Sequence, residues 1–136
     1  MGNRTTQYSG TFDGNNKTVS GLYFNGDSTC IGLFGSSESD GNIKNVGVVD
    51  SYFKGNDHVG GVCGINAGTI TNCYNAGNLT AIESSATIGG ICGYNNGGTV
   101  ANCYNTGTVT ATGTVAFVGG VCGCSTELIL NCYNIG

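Results

Sequence analysis

Eight cysteines are the residues best suited to chemistry in this 136-residue chain. Metal sites built from cysteine usually pair their ligands in a C-x-x-C spacing and add further Cys or His ligands. No C-x-x-C spacing occurs here, and the chain has a single histidine, His58. The cysteine spacing therefore predicts neither a metal site nor a cofactor.

Six of the cysteines recur in pairs ten or eleven residues apart, and each pair could be either a disulfide or two free thiols. Regular disulfides, which suit an exported chain, would join Cys63 to Cys73, Cys92 to Cys103 and Cys122 to Cys132. The substitution pattern favours buried free thiols instead, because the equivalent positions of earlier units hold Phe34, Leu22 or Val46. A position that accepts Phe, Leu, Val or Cys is used as a small hydrophobic position. Cys124 is the one thiol expected to be exposed.

Acid–base chemistry has few candidate residues. Glycoside hydrolysis needs two carboxyl groups about 5 to 9 Å apart across the substrate. One local group of titratable side chains exists, and it consists of Asp50, Lys54, Asp57 and His58. Such a group is typical of a solvated loop, and Asp13 lacks the alternating acidic neighbours of a calcium loop. The sequence therefore predicts a chain that is not an enzyme.

Tyrosines recur at a regular spacing and could form a binding surface. Tyr74, Tyr104 and Tyr133 follow one another at spacings of 30 and 29 residues, so they would stack in a repeat structure, beside Tyr23. Aromatic ladders stabilise sheets by packing alone, and this is the favoured interpretation. The alternative is a platform that recognises a glycan or a protein.

A row of alternating threonines, from Thr106 to Thr114, suggests a third use for one strand. An ice-binding surface would need such rows in neighbouring coils, but the preceding counterpart reads Asn78, Thr80, Ile82. Threonine on the outer face of a strand is ordinary. Ice binding is therefore kept only as an alternative.

An internal repeat positions all these residues. The stretch VGGVCGINAGTITNCYNAGNLT, from Val59 to Thr80, returns as IGGICGYNNGGTVANCYNTGTVT and again as VGGVCGCSTELILNCYNIG. Self-similarity at a fixed period marks a stacked-repeat protein. Degenerate earlier copies give one domain at 8–136, with units near 8–29, 30–58, 59–87, 88–117 and 118–136. Residues 1–7 are predicted to be a flexible lead-in, and the domain a fragment of a longer array.

Each unit holds three short runs rich in Val, Ile and Thr, which in one unit are Val59 to Cys63, Thr69 to Tyr74 and Asn78 to Ile82. Helical periodicity is absent. The sequence therefore predicts an all-β fold, a right-handed parallel β-helix (β-solenoid) of about four to five coils with three short strands per coil.

Stacking of coils converts equivalent positions into ladders that run along the axis. Two apolar ladders are predicted, Cys30–Val59–Ile88–Val118 and Val19–Ile43–Ile70–Val100–Ile129. A third would contain Leu22, Val46, Cys73, Cys103 and Cys132, and Cys63, Cys92 and Cys122 recur likewise. Asn45, Asn72, Asn102 and Asn131 are predicted to turn corners, because Asn tolerates left-handed backbone angles and its amide can bond to the next coil.

The glycine-rich pieces resemble a known family. GLFG (Gly32 to Gly35) and the later GGVCG, GGICG and GGVCG, each followed by NCYN or NVGV, are similar to the GLUG repeat of bacterial surface and secreted proteins. The resemblance implies a β-solenoid segment of a large extracellular or cell-surface protein, without catalytic residues to transfer. The last unit departs from the pattern at Cys124, where an irregular coil is expected.

The net charge of the chain limits the classes of binding partner that the sequence predicts. The formal net charge is −4 with four scattered basic residues, which argues against nucleic acid. No apolar run of about 18 residues exists, so direct membrane insertion is not expected. The sequence predicts a structural or adhesive module, acting as a rigid spacer or as a surface for a glycan or a host or bacterial surface protein. An accessory or substrate-binding segment of a glycan-active or peptidase enzyme is the alternative.

End-to-end association is a further expectation. The ladders that end at Ile129 and Cys132 would face no following coil, and an open sheet edge can pair with another strand.

Overall fold

The computed structural model describes residues 1–136 as a β-solenoid of about four turns without a helix. All strand pairs are parallel, and each strand bonds to its counterpart in the next coil. The predicted parallel β-solenoid is therefore confirmed.

Twenty short strands make up the coils. The N-terminal part contains β1 (Thr11–Ser20), β2 (Tyr23–Asn25), β3 (Cys30–Ile31), β4 (Phe34–Ser37), β5 (Asn42–Val49) and β6 (Tyr52–Gly55). The next coil contains β7 (His58–Gly60), β8 (Cys63–Asn66), β9 (Thr69–Thr71), β10 (Tyr74–Asn75) and β11 (Asn78–Ala81). It is followed by β12 (Thr87–Gly89), β13 (Cys92–Asn95), β14 (Thr99–Ala101), β15 (Tyr104–Asn105) and β16 (Val109–Ala111). The last strands are β17 (Phe117–Gly119), β18 (Cys122–Ser125), β19 (Ile129–Leu130) and β20 (Tyr133–Asn134).

The strands form four sheets that run along the solenoid. Three sheets have four strands each, in the orders β17-β12-β7-β3, β18-β13-β8-β4 and β16-β11-β6-β2. The fourth has eight strands, because long β5 pairs with both β9 and β10 and also with β1. Two of the three predicted runs per unit are each split into two strands, at Gly61–Val62 and at Asn72, whose φ of 53° bends the chain.

The core is a pair of apolar columns inside the coils. One cluster of 11 buried residues includes Ile43, Ile70 and Val100, and a second of 8 residues includes Val59 and Ile88. Like-sized aliphatic groups stacked at the spacing of adjacent strands leave few voids.

The register of the first coil differs from the prediction at three places. Ile31, not Cys30, pairs with Val59, because this coil has a single glycine where later coils have two. Phe12 pairs with Ile43, while Val19 pairs with Val48, because β1 contains a register shift between Asp13 and Lys17. Leu22 does not lie under Val46, which pairs with Lys17. The Leu22 amide instead donates to Ser51 Oγ at 3.1 Å.

The N-terminal segment 1–7, predicted to be a flexible lead-in, is bonded to the first coil. The Met1 amino group donates to Leu33 O at 2.8 Å, and Gln7 Nε2 donates to Ser36 Oγ at 2.9 Å. These contacts supply partners for an edge that would otherwise be open.

The last coil keeps the register of the coil before it, contrary to the irregularity expected at Cys124. Cys124 pairs with Tyr94, and Ser125 pairs with Asn95. Its apolar side chains nevertheless lie open, since Val118 is 53% exposed while its counterpart Ile88 is fully buried.

Candidate functional site

The tyrosine ladder is a tight stack of rings. Tyr74 and Tyr104 have centroids 4.9 Å apart and planes 1° apart, and Tyr104 and Tyr133 are 5.1 Å and 5° apart. Below the stack, a Cβ on Gly47 would overlap the Tyr74 ring. The faces of these rings are therefore turned towards one another, the lower face of Tyr74 is covered by Gly47, and the outer face of Tyr133 is left uncovered.

This geometry argues against the tyrosine ladder as a platform for a glycan or a protein. A sugar ring stacks on the face of an aromatic ring, which carries the negative part of its quadrupole, and these faces are occupied. Burial, followed by the neighbouring Tyr74 and Tyr133 hydroxyls, raises the pKa of Tyr104. The arrangement favours packing between coils as the role of the ladder.

Tyr23 does not belong to that ladder. It lies on β2 and stacks on Tyr52 of β6, with centroids 5.6 Å apart and planes 25° apart. The expectation that Tyr23 lies beside the other three tyrosines is therefore wrong, since β2 and β10 belong to different sheets. Tyr52 was not singled out from the sequence.

An outer asparagine ladder turns one corner of the coils. Asn45, Asn72, Asn102 and Asn131 all have left-handed φ angles, between 51° and 56°. Asn72 Nδ2 donates to Asn45 Oδ1 at 3.1 Å, and Asn131 donates to Asn102 at 3.3 Å. Asp13 extends the row in the first coil, because its carboxylate accepts from Asn45 at 2.9 Å.

A second ladder is formed by the last Asn of each NCYN, and it is buried at Asn75 and Asn105. Asn75 Nδ2 donates to Asn105 Oδ1 at 2.8 Å, and Asn105 donates in turn to Asn134 at 2.8 Å. Each Nδ2 also reaches a carbonyl two residues on, that of Gly77 or Gly107. Sequence reasoning missed this ladder, although the repeated Asn-x-Gly would have indicated it.

A third ladder joins the last residues of β4, β8, β13 and β18, and it is buried at Ser37, Asn66 and Asn95. Ser37 Oγ donates to Asn66 Oδ1 at 2.8 Å, Asn66 donates to Asn95 at 2.8 Å, and Asn95 donates to Ser125 Oγ at 3.0 Å. Buried amides cost free energy unless they are bonded, and here each amide bonds to the coils on both sides. Side chains therefore tie the coils together inside the solenoid.

All eight cysteines are free thiols in the structure. One column contains Cys63, Cys92 and Cys122, above Phe34, and the other contains Cys73, Cys103 and Cys132, above Val46. Burial raises the pKa of the Cys63 thiol to about 12 and also raises that of Cys92. Such thiols stay protonated and unreactive, and Cys124 is half-buried rather than exposed.

The predicted group of titratable residues does not form one cluster. Asp57 and His58 lie together, and Asp50 lies elsewhere. Asp57 lies 3.2 Å from His58 Nδ1 and 3.7 Å from Arg4, and His58 Nδ1 lies 2.6 Å from Thr87 Oγ1. Burial lowers the pKa of His58, against the opposing effect of Asp57. A catalytic triad needs its acid and its hydroxyl on opposite ring nitrogens, but here both contact Nδ1. This cluster therefore lacks the geometry of a triad.

Asp50 lies apart from that cluster, in a groove at another corner of the solenoid. The groove has a volume of about 410 Å³, and its walls include Tyr23, Asp50, Tyr52 and Asn78. No group of three or more His, Cys, Asp or Glu side chains is placed to hold a metal ion. The structure also has no helix with the length and hydropathy to cross a membrane.

The fold and the ladders define a β-solenoid repeat module. Residues 84–110 match the family model described as the GLUG motif. The chain is 34% identical over 89 residues to Halomucin of Haloquadratum walsbyi, an alignment that covers 63% of this chain and about 1% of Halomucin. The comparison with solved structures gave no significant match. The chain therefore carries a GLUG motif within a β-solenoid, as its glycine-rich repeats predicted.

Proposed function

We propose that this chain is a non-catalytic spacer module of a cell-surface or secreted protein. The observation that carries the proposal is the set of asparagine ladders, which bond each coil to the next through side chains as well as backbone. A rod held in this way resists bending and pulling along its axis better than a flexible linker. The GLUG motif and the similarity to Halomucin support a place in a surface protein.

The adhesive role, the bacterial source and secretion are finer parts of the same proposal. The tyrosine ladder gives the adhesive role little support, because most of its ring faces are occupied. A multi-coil threonine array, which ice binding would use, is interrupted where Thr80 pairs with Lys54. No observation favours the role of an accessory segment of an enzyme over that of a spacer.

Single-molecule force spectroscopy on the 136-residue chain tests the spacer. We expect unfolding in discrete steps that release about one coil each, because every coil contacts only its neighbours. Asn105→Ala, which breaks a buried ladder, should lower the unfolding force, and the exposed Asn96→Ala should leave it unchanged. A smooth extension at low force would contradict the proposal, as would turnover in a panel of glycan and peptide substrates.

A further inference from the structure

The groove at Asp50 arises from a change in corner length between coils. Val48 pairs with Asn75 and Tyr52 with Asn78, so three residues turn this corner in one coil and two in the next. In the coil before, Val19 pairs with Val48 and Tyr23 with Tyr52, and again three residues turn the corner. The longer corners protrude beyond the shorter one, and the resulting step is the groove.

The additional residue at each longer corner has a left-handed backbone. Gly21 occupies this position with a φ of 72°, and Asp50 occupies it with a φ of 47°. Asp50 is the one residue other than Asn or Gly that has a positive φ in the chain. Such conformations cost free energy and cluster at functional sites.

The aromatic wall of the groove is a short stack that ends abruptly. Tyr23 is 72% exposed and stacks on Tyr52. The counterpart of Tyr52 in the following coil is Asn78, so no third ring covers the stack on that side. This pair of tyrosines therefore keeps aromatic surface open to a ligand inside the groove.

The polar wall consists of groups without protein partners. The Asp50 carboxylate is exposed and makes no ion pair or side-chain hydrogen bond, and the side-chain amide of Asn78 is likewise exposed and makes no hydrogen bond. A carboxylate accepts from hydroxyl groups, and an amide both donates and accepts. Aromatic surface with a few convergent polar groups is the composition of a small-molecule site.

We propose that this groove binds a neutral pyranose sugar, as the free unit or as part of a glycan chain. The C–H face of the sugar stacks on the open tyrosine surface, and its hydroxyl groups bond to Asp50 and Asn78. A quaternary ammonium ion is the competing ligand, but it is bound by rings set around it as a cage. The two rings here lie within 25° of parallel and form a wall instead. This site goes beyond the spacer role and does not depend on it.

Ligand-detected NMR and calorimetry with the 136-residue chain test the site. The probes are glucose, galactose, mannose, N-acetylglucosamine and the β-1,4-linked disaccharides of glucose and N-acetylglucosamine. We expect at least one to bind with millimolar affinity, and Tyr52→Ala to weaken that binding about tenfold. Asp50→Asn should weaken it about threefold or more, while Tyr52→Phe keeps the stacking surface and most of the affinity.

Tyr133→Ala is the matched control, since it removes an exposed tyrosine from the other ladder, and it should leave binding unchanged. Circular dichroism checks that each variant is folded, and Tyr23→Ala, at a 72% exposed position, replaces Tyr52→Ala if that variant unfolds. The proposal is overturned if no probe binds at about 50 mM, if the groove variants bind as well as the native chain, or if tetramethylammonium binds in the groove and the sugars do not.

Discussion

At the scale of single residues, asparagine has two distinct roles in this solenoid. At Asn45 and Asn72 the backbone needs a left-handed angle, and the exposed amides bond from coil to coil. At Asn66 and Asn95 the side chain is fully buried, and its bonds replace those that water would make. The buried amides contribute more to stability, because a buried partner left unpaired costs more than an exposed one.

Asn95→Ala should lower the free energy of unfolding by about 2 to 4 kcal/mol. The change removes the donor to Ser125 and the acceptor for Asn66, and both partners lose a bond. Asn96→Ala, at the adjacent exposed position, should change stability by less than about 0.5 kcal/mol. Urea unfolding of the two variants measures the difference, and equal midpoints would show that the buried ladder contributes little.

The buried thiols make stability depend on alkaline pH. The pKa of Cys63 is raised by burial from 9.0 to about 12, so the unfolded chain loses this proton first as pH rises. The thiol's stabilising effect is complete below pH 9.0 and is lost as pH rises towards 12. Across that interval the Cys63 thiol lowers the free energy of unfolding by about 1.4 kcal/mol per pH unit.

Cys63→Val should therefore reduce the slope of stability against pH above pH 9.0 by one thiol's share, about 1.4 kcal/mol per unit. Ile65→Val, in the same strand, controls for repacking and should shift stability equally at every pH. Urea titrations between pH 8 and 11 measure both slopes, a range set by the ordinary thiol pKa. Identical slopes in the native chain and Cys63→Val would contradict the buried, protonated thiol.

At the scale of elements, the double glycine lets consecutive strands turn close to one another. A Cβ on Gly60, Gly89 or Gly119 would overlap the carbonyl oxygen of the cysteine three residues on. These overlaps involve backbone, which cannot move without breaking the hydrogen bonds between coils. The first of the two glycines is thus required by contact, and its φ is not left-handed.

Gly89→Ala should destabilise the solenoid by at least about 3 kcal/mol, because the added methyl group meets backbone on several sides. Gly97→Ala is the comparison, since Gly97 has a φ of 84° and open space around it. There the cost is conformational and should be about 1 to 2 kcal/mol. Thermal unfolding of both variants tests this order, and a Gly97→Ala variant less stable than Gly89→Ala would reverse it.

At the scale of the whole molecule, the two ends of the solenoid differ. The N-terminal segment bonds to the first coil through Met1 and Gln7 and pairs Arg4 with Asp57. The opposite end presents Phe117, Val118 and Ile129, which are 54%, 53% and 41% exposed. An apolar surface with open strand edges tends to be covered by another chain.

We expect the 136-residue chain to associate through this end as its concentration rises. Val118→Lys should raise the concentration of half-association at least about tenfold, because a charge would be buried at the contact. Ile82→Lys, at a 37% exposed position away from that end, should leave association unchanged. Light scattering over a concentration series measures both, and a native chain that stays monomeric throughout would disprove the contact.

The sequence by itself determined the class of fold and the ladders of the regular coils. When Val59, Ile88 and Val118 recur at a constant spacing in parallel stacked coils, distance along the chain translates directly into position along the axis. That translation fails where a coil gains or loses a residue. The single glycine at Gly32 and the register shift in β1 moved the first coil's ladders, since bonding to the next coil decides where an additional residue is accommodated.

Only the tertiary structure decided which repeated polar residues are buried and which aromatic faces are open. The two asparagines of NCYN have the same spacing, yet Asn75 is inside and Asn72 is at the corner, because a left-handed turn at Asn72 reverses the side on which the following residues lie. Tyr23 and Tyr74 likewise look alike in sequence but belong to different sheets. The groove at Asp50 exists because corners of unequal length are stacked on one another, and a single coil does not contain that relationship.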